Sequence, residues 1–140
     1  DYDIVIQLAN RALSLDPAFS HAHQHLADVY FILGDVEQLS STVQSAELMQ
    51  ADYKSLVDGL QLALEFGRGN HLKVESGLKE RVAMAKANQI PATFVAFEAA
   101  QFGDFDTAGD LLLQAYSEKD EEYIPKSFIP DNFNNIFYKT

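Results

Sequence analysis

Residues 17–51 read PAFSHAHQHLADVYFILGDVEQLSSTVQSAELMQA, and this stretch decides the fold. From about Phe19 to Leu33 the apolar residues Ala22, Leu26, Val29, Tyr30 and Leu33 recur at steps of three and four, which places them on one face of a helix. Gly34 then supplies the permissive backbone at a helix end, and Asp35 stands where it can cap a second helix. Across 35–50, Val36, Leu39, Val43, Ala46 and Leu48 mark a buried side, with Ser40, Ser41, Gln44 and Glu47 outside. The pair reads as a helical hairpin. Ala27 is small because two such helices approach closely. Asp16-Pro17 separates this hairpin from what precedes it, since proline cannot donate to the helical ladder and biases Asp16 away from helix.

The same pattern recurs on both sides. Residues 2–15 place Val5, Leu8, Ala9, Ala12 and Leu15 on one stripe, as a second helix lacking its first. A shift of 34 residues carries Ala12 onto Ala46, and Asp1 onto Asp35. The chain therefore reads as a fragment that enters at the turn of a repeat. A shift of 69 carries Leu26, Ala27, Gly34, Asp35, Val36 and Ala46 onto Val95, Ala96, Gly103, Asp104, Phe105 and Ala115. That is two periods of 34 and one inserted residue, which the spacing of Gly69 and Gly103 assigns to the middle turn, Phe66-Gly67-Arg68-Gly69. In the degenerate middle hairpin Leu60, Leu64, Leu78 and Val82 keep helical spacing, while Lys73, Lys79, Glu80 and Arg81 read as a solvated face. Helices are expected over about 91–102 and 105–116. The last segment, 117–140, carries Tyr123, Ile124, Phe128, Ile129, Phe133, Ile136, Phe137 and Tyr138. Such a segment is too apolar to stay solvated and is expected to cap the final hairpin, with a partner-binding tail as the second reading.

Composition narrows the function classes. Ten Lys and Arg stand against 21 Asp and Glu, a formal net charge of −11. The summed field repels phosphate backbones and anionic headgroups, so direct nucleic-acid binding is disfavoured. No apolar run approaches the ~18 residues of a membrane span, so membrane insertion is not expected. Cysteine is absent, which removes disulfides and thiolate metal sites without naming a compartment.

Leu26-Ala27, Tyr30, Gly34-Asp35 and Ala46 fall where a tetratricopeptide repeat carries its leucine, small residue, aromatic, turn and second small residue, and residues 2–116 resemble that family. The resemblance implies an all-α fold, a right-handed α-solenoid of about three and a half repeats with hairpins near 18–50, 53–87 and 91–116. Residues 117–140 would form its irregular C-terminal cap. A narrower resemblance runs from about 90 to 137. Gly103-Asp104, Ala108, Ala115-Tyr116, Glu118 and Pro130-Asp131-x-Phe133 resemble the closing repeat and tail of modular bacterial regulators, in which such hairpins follow a winged-helix, adenylate cyclase or kinase domain. Pro130 and Asp131 stand in reversed order relative to that pattern. The resemblance implies a sensory or interaction segment of a bacterial protein, whether its periplasmic or its cytoplasmic portion, with no catalytic residue and no cofactor.

In that family the first helices of the hairpins line a binding groove. The corresponding positions are His21, Gln24, His25, Asp28 and Ile32, then Ser55, Asp58 and Leu62, then Thr93, Phe94, Phe97 and Gln101. The set lacks the lysine, arginine and asparagine needed to grip a peptide carboxylate. Its acids and aromatics suit an apolar or basic peptide or a small apolar ligand, and the expected partner is a protein or peptide; the alternative is that Phe94 and Phe97 are buried under the C-terminal tail. His21 and His25 also share a helix face with Asp28, which makes a metal site a competing reading, although no fourth ligand is evident. Gly67-x-Gly69 is no phosphate loop, no serine elbow is present, and Glu121-Glu122 lies in a charge run, so an enzyme is not expected. A free-standing adaptor that uses the same groove is the remaining alternative. The leading helix, with Val5, Leu8 and Ala12 on one side, could also pair with a second copy as a homodimer.

Overall fold

The computed structural model describes residues 1–51 and 53–118. Among them the chain is all-helical, with no strand: α1 (Tyr2–Leu15), α2 (Ser20–Leu33), α3 (Val36–Leu48), α4 (Lys54–Gly67), α5 (His71–Lys86), α6 (Ala92–Gln101) and α7 (Phe105–Ser117). From residue 119 onward the expected cap lies outside the described residues.

One turn is used again and again. Gly34, Gly69 and Gly103 sit at φ +68°, +79° and +84°, left-handed conformations that glycine adopts without a Cβ penalty. Each glycine N–H donates three residues back, to the carbonyl of Phe31, Phe66 or Ala100. The next N–H donates five back, to Tyr30, Glu65 or Ala99. This pair of bonds is the Schellman motif, which satisfies carbonyls that the helix end would otherwise leave open. Gln50 (φ +49°) and Asn88 (φ +55°) close α3 and α5 with the same pair of bonds. Past the glycine, the Asp35 and Asp104 carboxylates accept the N–H of Gln38 and Thr107, each at 3.1 Å, and so cap α3 and α7.

The inserted residue can be located. The N-caps of α2 and α4, Phe19 and Tyr53, are 34 positions apart, whereas Gly34 and Gly69 are 35 apart. Arg68 is the extra residue, still right-handed (φ −80°, ψ −6°) between the end of α4 and Gly69. After it the helix boundaries move as well. α5 has 16 residues where α3 has 13, and α6 has 10 where α2 has 14.

The chain divides into two compact units, Asp1–Gly77 and Leu78 onward, with the division inside α5. In the first, α1 packs on α2, α2 on α3, and α4 on both α2 and α3. Ala9, Ala22 and Leu26 form one cluster; Ala27, Leu39, Val43, Leu56, Leu60 and Leu64 form the next, with Tyr30 touching both. A Cβ on Gly77 would collide with Leu62, so α5 lies close against α4 at that point. In the second unit α6 packs on α7 around Val95, Ala96, Ala99, Ala108, Leu111 and Ala115.

Four expectations about facing need correction, the first being Leu33, counted on the apolar face of α2 but 53% exposed beside the turn. On α1, Leu8 and Leu15 are exposed (63% and 82%), while Ile6 and Leu13 pack against the Ala9 cluster. Ala9 and Ala12 pack as expected, and Ile6 and Leu13 complete the covered side in place of Leu8 and Leu15. Leu48 is also exposed, and Thr42 lies inside instead, its hydroxyl donating to the Gln38 carbonyl at 2.8 Å. Arg81 is buried rather than solvated. Its Nε and Nη2 donate to Glu98 Oε2 and Oε1, both at 2.6 Å, a two-point pair between α5 and α6 within the second unit.

Ala27 is 1% exposed among Leu39, Val43, Leu56 and Leu60. Ala27→Leu is therefore expected to cost ~1–3 kcal/mol by overpacking, measured as a lower urea midpoint at unchanged slope. An unchanged midpoint would mean that this face is not packed as described.

Candidate functional site

The histidine run divides by the helical period. His21 and His25 are exposed on α2, and Gln24 and Asp28 are half-buried beside them. His23 turns inward and is 1% exposed; its Nε2 donates to the Pro17 carbonyl at 2.9 Å. Because a carbonyl only accepts, the proton sits on Nε2. Nδ1 has no hydrogen-bond partner, and the ring ties the first turn of α2 to the chain entering it. His21 stacks obliquely near Phe19, with ring centroids 5.7 Å apart. Among the described residues no three His, Asp or Glu side chains converge as a metal-binding group, so the structure does not bring His21, His25 and Asp28 together as one.

The other expected groove positions are distributed as follows. On α4, Asp58 is half-buried and pairs with Lys54 at 3.0 Å. Leu62 rests against Gly77, which leaves it half-buried. On α6, in the second unit, Phe94 and Gln101 are half-buried and Phe97 is 58% exposed. Thr93 departs from its expected place and is buried, at 2% exposure. Ile32 is 61% exposed on α2.

A trough between α3 and α4 was not anticipated. The Gln61 amide donates to Glu47, and Arg68 Nη2 reaches Ser40 Oγ at 3.4 Å. Going seven residues forward on α4 thus goes seven back on α3, so the helices run antiparallel along it. The trough encloses about 450 Å³, floored by Val43, Leu62 and Leu64 and continued by a hollow of about 240 Å³ at Gln50 and Lys54. Its polar walls were readable as stripes, Ser40-Gln44-Glu47 and Asp58-Gln61-Glu65-Arg68, each at steps of three and four. Their juxtaposition was not, because it depends on register between helices.

At one end of the trough Arg68 Nη1 and Lys73 Nζ each lie 3.7 Å from Glu65 Oε1. The Asn70 side-chain amide also donates to Glu65. That hydrogen bond, then Lys73 and Arg68, hold the Glu65 carboxyl below its ordinary value of 4.5, against partial burial that pushes it up. A separate apolar hollow of about 240 Å³ is lined by Tyr30, Phe31, Val36, Leu39 and Phe66. Phe31 and Phe66 meet there with centroids 5.5 Å apart.

Comparison with protein-family models, curated proteins and solved structures gives no match.

The lowered Glu65 value has a consequence for stability. A depressed carboxylate stabilises the fold above its unfolded value, and that contribution is lost as pH falls through the lower folded value. Glu65→Gln is expected to flatten the loss of thermal stability below about pH 4.5 relative to the parent. Parallel acid limbs in the two melting profiles would remove Glu65 as a contributor.

Proposed function

We propose that the chain is a tetratricopeptide-type array that binds polypeptide, acting as the interaction segment of a larger bacterial regulator. Its work is recognition and no catalytic step is assigned to it. The observation that carries this proposal is the recurrence of one left-handed glycine turn at Gly34, Gly69 and Gly103, spaced by 35 and 34 residues. Within the first unit α4 packs on both α2 and α3, and helices stacked in this way form the extended binding surfaces of helical repeat proteins.

Several features support a polypeptide as the ligand. The faces of α2 and α4 carry His21, Gln24, His25, Asp28 and Asp58, a mixture of donors and acceptors suited to peptide groups. In the second unit, taken by itself, α6 carries Phe97 as an exposed aromatic, a residue type enriched at interfaces. The net charge of −11 favours basic or neutral partners over nucleic acid and anionic lipid. The role within a regulator rests on the resemblance of Gly103-Asp104, Ala108 and Ala115-Tyr116 to the closing repeat of that family.

Selection of the chain against a random dodecapeptide library, followed by fluorescence titration of enriched sequences, tests the proposal. A convergent peptide group that binds in the micromolar range, about −8 kcal/mol, is the expected outcome. Failure to enrich any group above an unrelated helical protein, with the chain shown folded by circular dichroism, would refute it.

A further inference from the structure

We infer that the trough between α3 and α4 holds an extended peptide bearing one basic and one acidic side chain about four positions apart. The inference rests on the peptide-binding proposal and adds a site, a ligand chemistry and a spacing to it.

Counted with their neighbours, Glu47, Asp58 and Lys54 leave one end of the trough with one net negative charge, and Arg68, Lys73 and Glu65 leave the other with one net positive charge. By the register of the Gln61–Glu47 and Arg68–Ser40 contacts, Asp58 and Glu47 lie toward one end with Gln61 alongside Glu47, Arg68 and Lys73 lie toward the other, and Gln44 falls between. Asp58 and Arg68 are ten residues apart on one helix, which is about 15 Å at 1.5 Å per residue. An extended chain advances about 3.3 Å per residue, so a ligand touching both ends spans four to five residues. The Gln44 amide, and what the Gln61 amide keeps after donating one N–H to Glu47, suit a peptide backbone, because an amide carries both donors and an acceptor.

Both ends keep capacity for a ligand. Arg68 and Lys73 approach the same oxygen of Glu65 at 3.7 Å, beyond hydrogen-bond length, and among the described residues this one carboxylate stands against two cations. A ligand carboxylate would complete the balance. At the other end Lys54 pairs with Asp58, but its side chain is 87% exposed and four residues away on the same helix. Such pairs contribute little and yield readily to a better-placed cation. Among the described residues, Glu47 and Asp58 with Lys54 leave one net negative charge for a basic side chain.

The experiment uses the whole chain and fluorescein-labelled glycine–serine peptides carrying a lysine and a glutamate about four positions apart, which sets both side chains on one face of the extended chain, in both orders. Controls carry the two charges adjacent, two lysines, or two glutamates. Anisotropy titration is expected to show one of the spaced lysine–glutamate peptides binding roughly tenfold more tightly than every control. Arg68→Glu with Lys73→Glu should move the preference to the two-lysine peptide. Glu47→Lys with Asp58→Lys should move it to the two-glutamate peptide. All four positions face solvent at least in part, and circular dichroism of each variant checks that it folds.

Equal binding of all probes, or variants that keep the parent preference, would overturn the inference. If library-selected peptides bind but neither compete with the spaced probe nor respond to the reversals, the trough assignment falls and the peptide-binding proposal stands. If no peptide of either kind binds, both fall.

Discussion

The left-handed turn is the constraint on which the rest of the structure depends. A helix must stop where its partner begins, and its last carbonyls must find donors when water is excluded. The glycine at Gly34, Gly69 and Gly103 lets the chain reverse while its own N–H and the one after it satisfy those carbonyls. Aspartate directly after the turn caps α3 and α7. With the reversal set, small residues can lie at the crossing. Ala27 on α2, Ala46 on α3, and Ala96 and Ala115 on α6 and α7 are all essentially buried, because at such positions a longer side chain would hold the helices apart.

The first unit shows how that local rule builds a surface. α4 packs on both α2 and α3, so its outward residues become neighbours of theirs. The apolar sides are consumed in the shared clusters, and the polar stripes of α3 and α4 are left as two walls of one trough. Arg68 belongs to that trough because it is the extra residue at the close of α4. The insertion that looks like a defect in the repeat thus adds a cation at the trough's end.

Most of the helix positions were legible because proline, glycine and aspartate punctuate the chain and the apolar residues keep helical spacing between them. α2 was expected from Phe19 to Leu33 and runs Ser20–Leu33. What periodicity could not give was the neighbour. Leu8 satisfies the stripe on α1 as well as Ile6 does, and only the packing of α2 decides which is covered. Arg81 reads as solvated until Glu98, 17 residues on, is seen to meet it. His23 lies between two exposed histidines, and only the Pro17 carbonyl shows that it serves the fold. The candidate groove residues were legible as faces of single helices, whereas Arg68, Lys73, Gln44 and Gln61 converge from three helices that no single-helix pattern connects.

Two of the turns lack glycine, and they allow the most direct test of this account. Gln50 holds the left-handed position at φ +49° after α3, where a side chain costs ~1–2 kcal/mol. Glycine is ordinarily destabilising by about 0.5–1 kcal/mol through the freedom it adds to the unfolded chain. Urea unfolding of Gln50→Gly beside Gly34→Ala separates the two effects by sign. If the left-handed turn governs the fold, Gln50→Gly is more stable than the parent and Gly34→Ala less stable. A Gln50→Gly variant less stable than the parent, with Gly34→Ala unchanged, would contradict it.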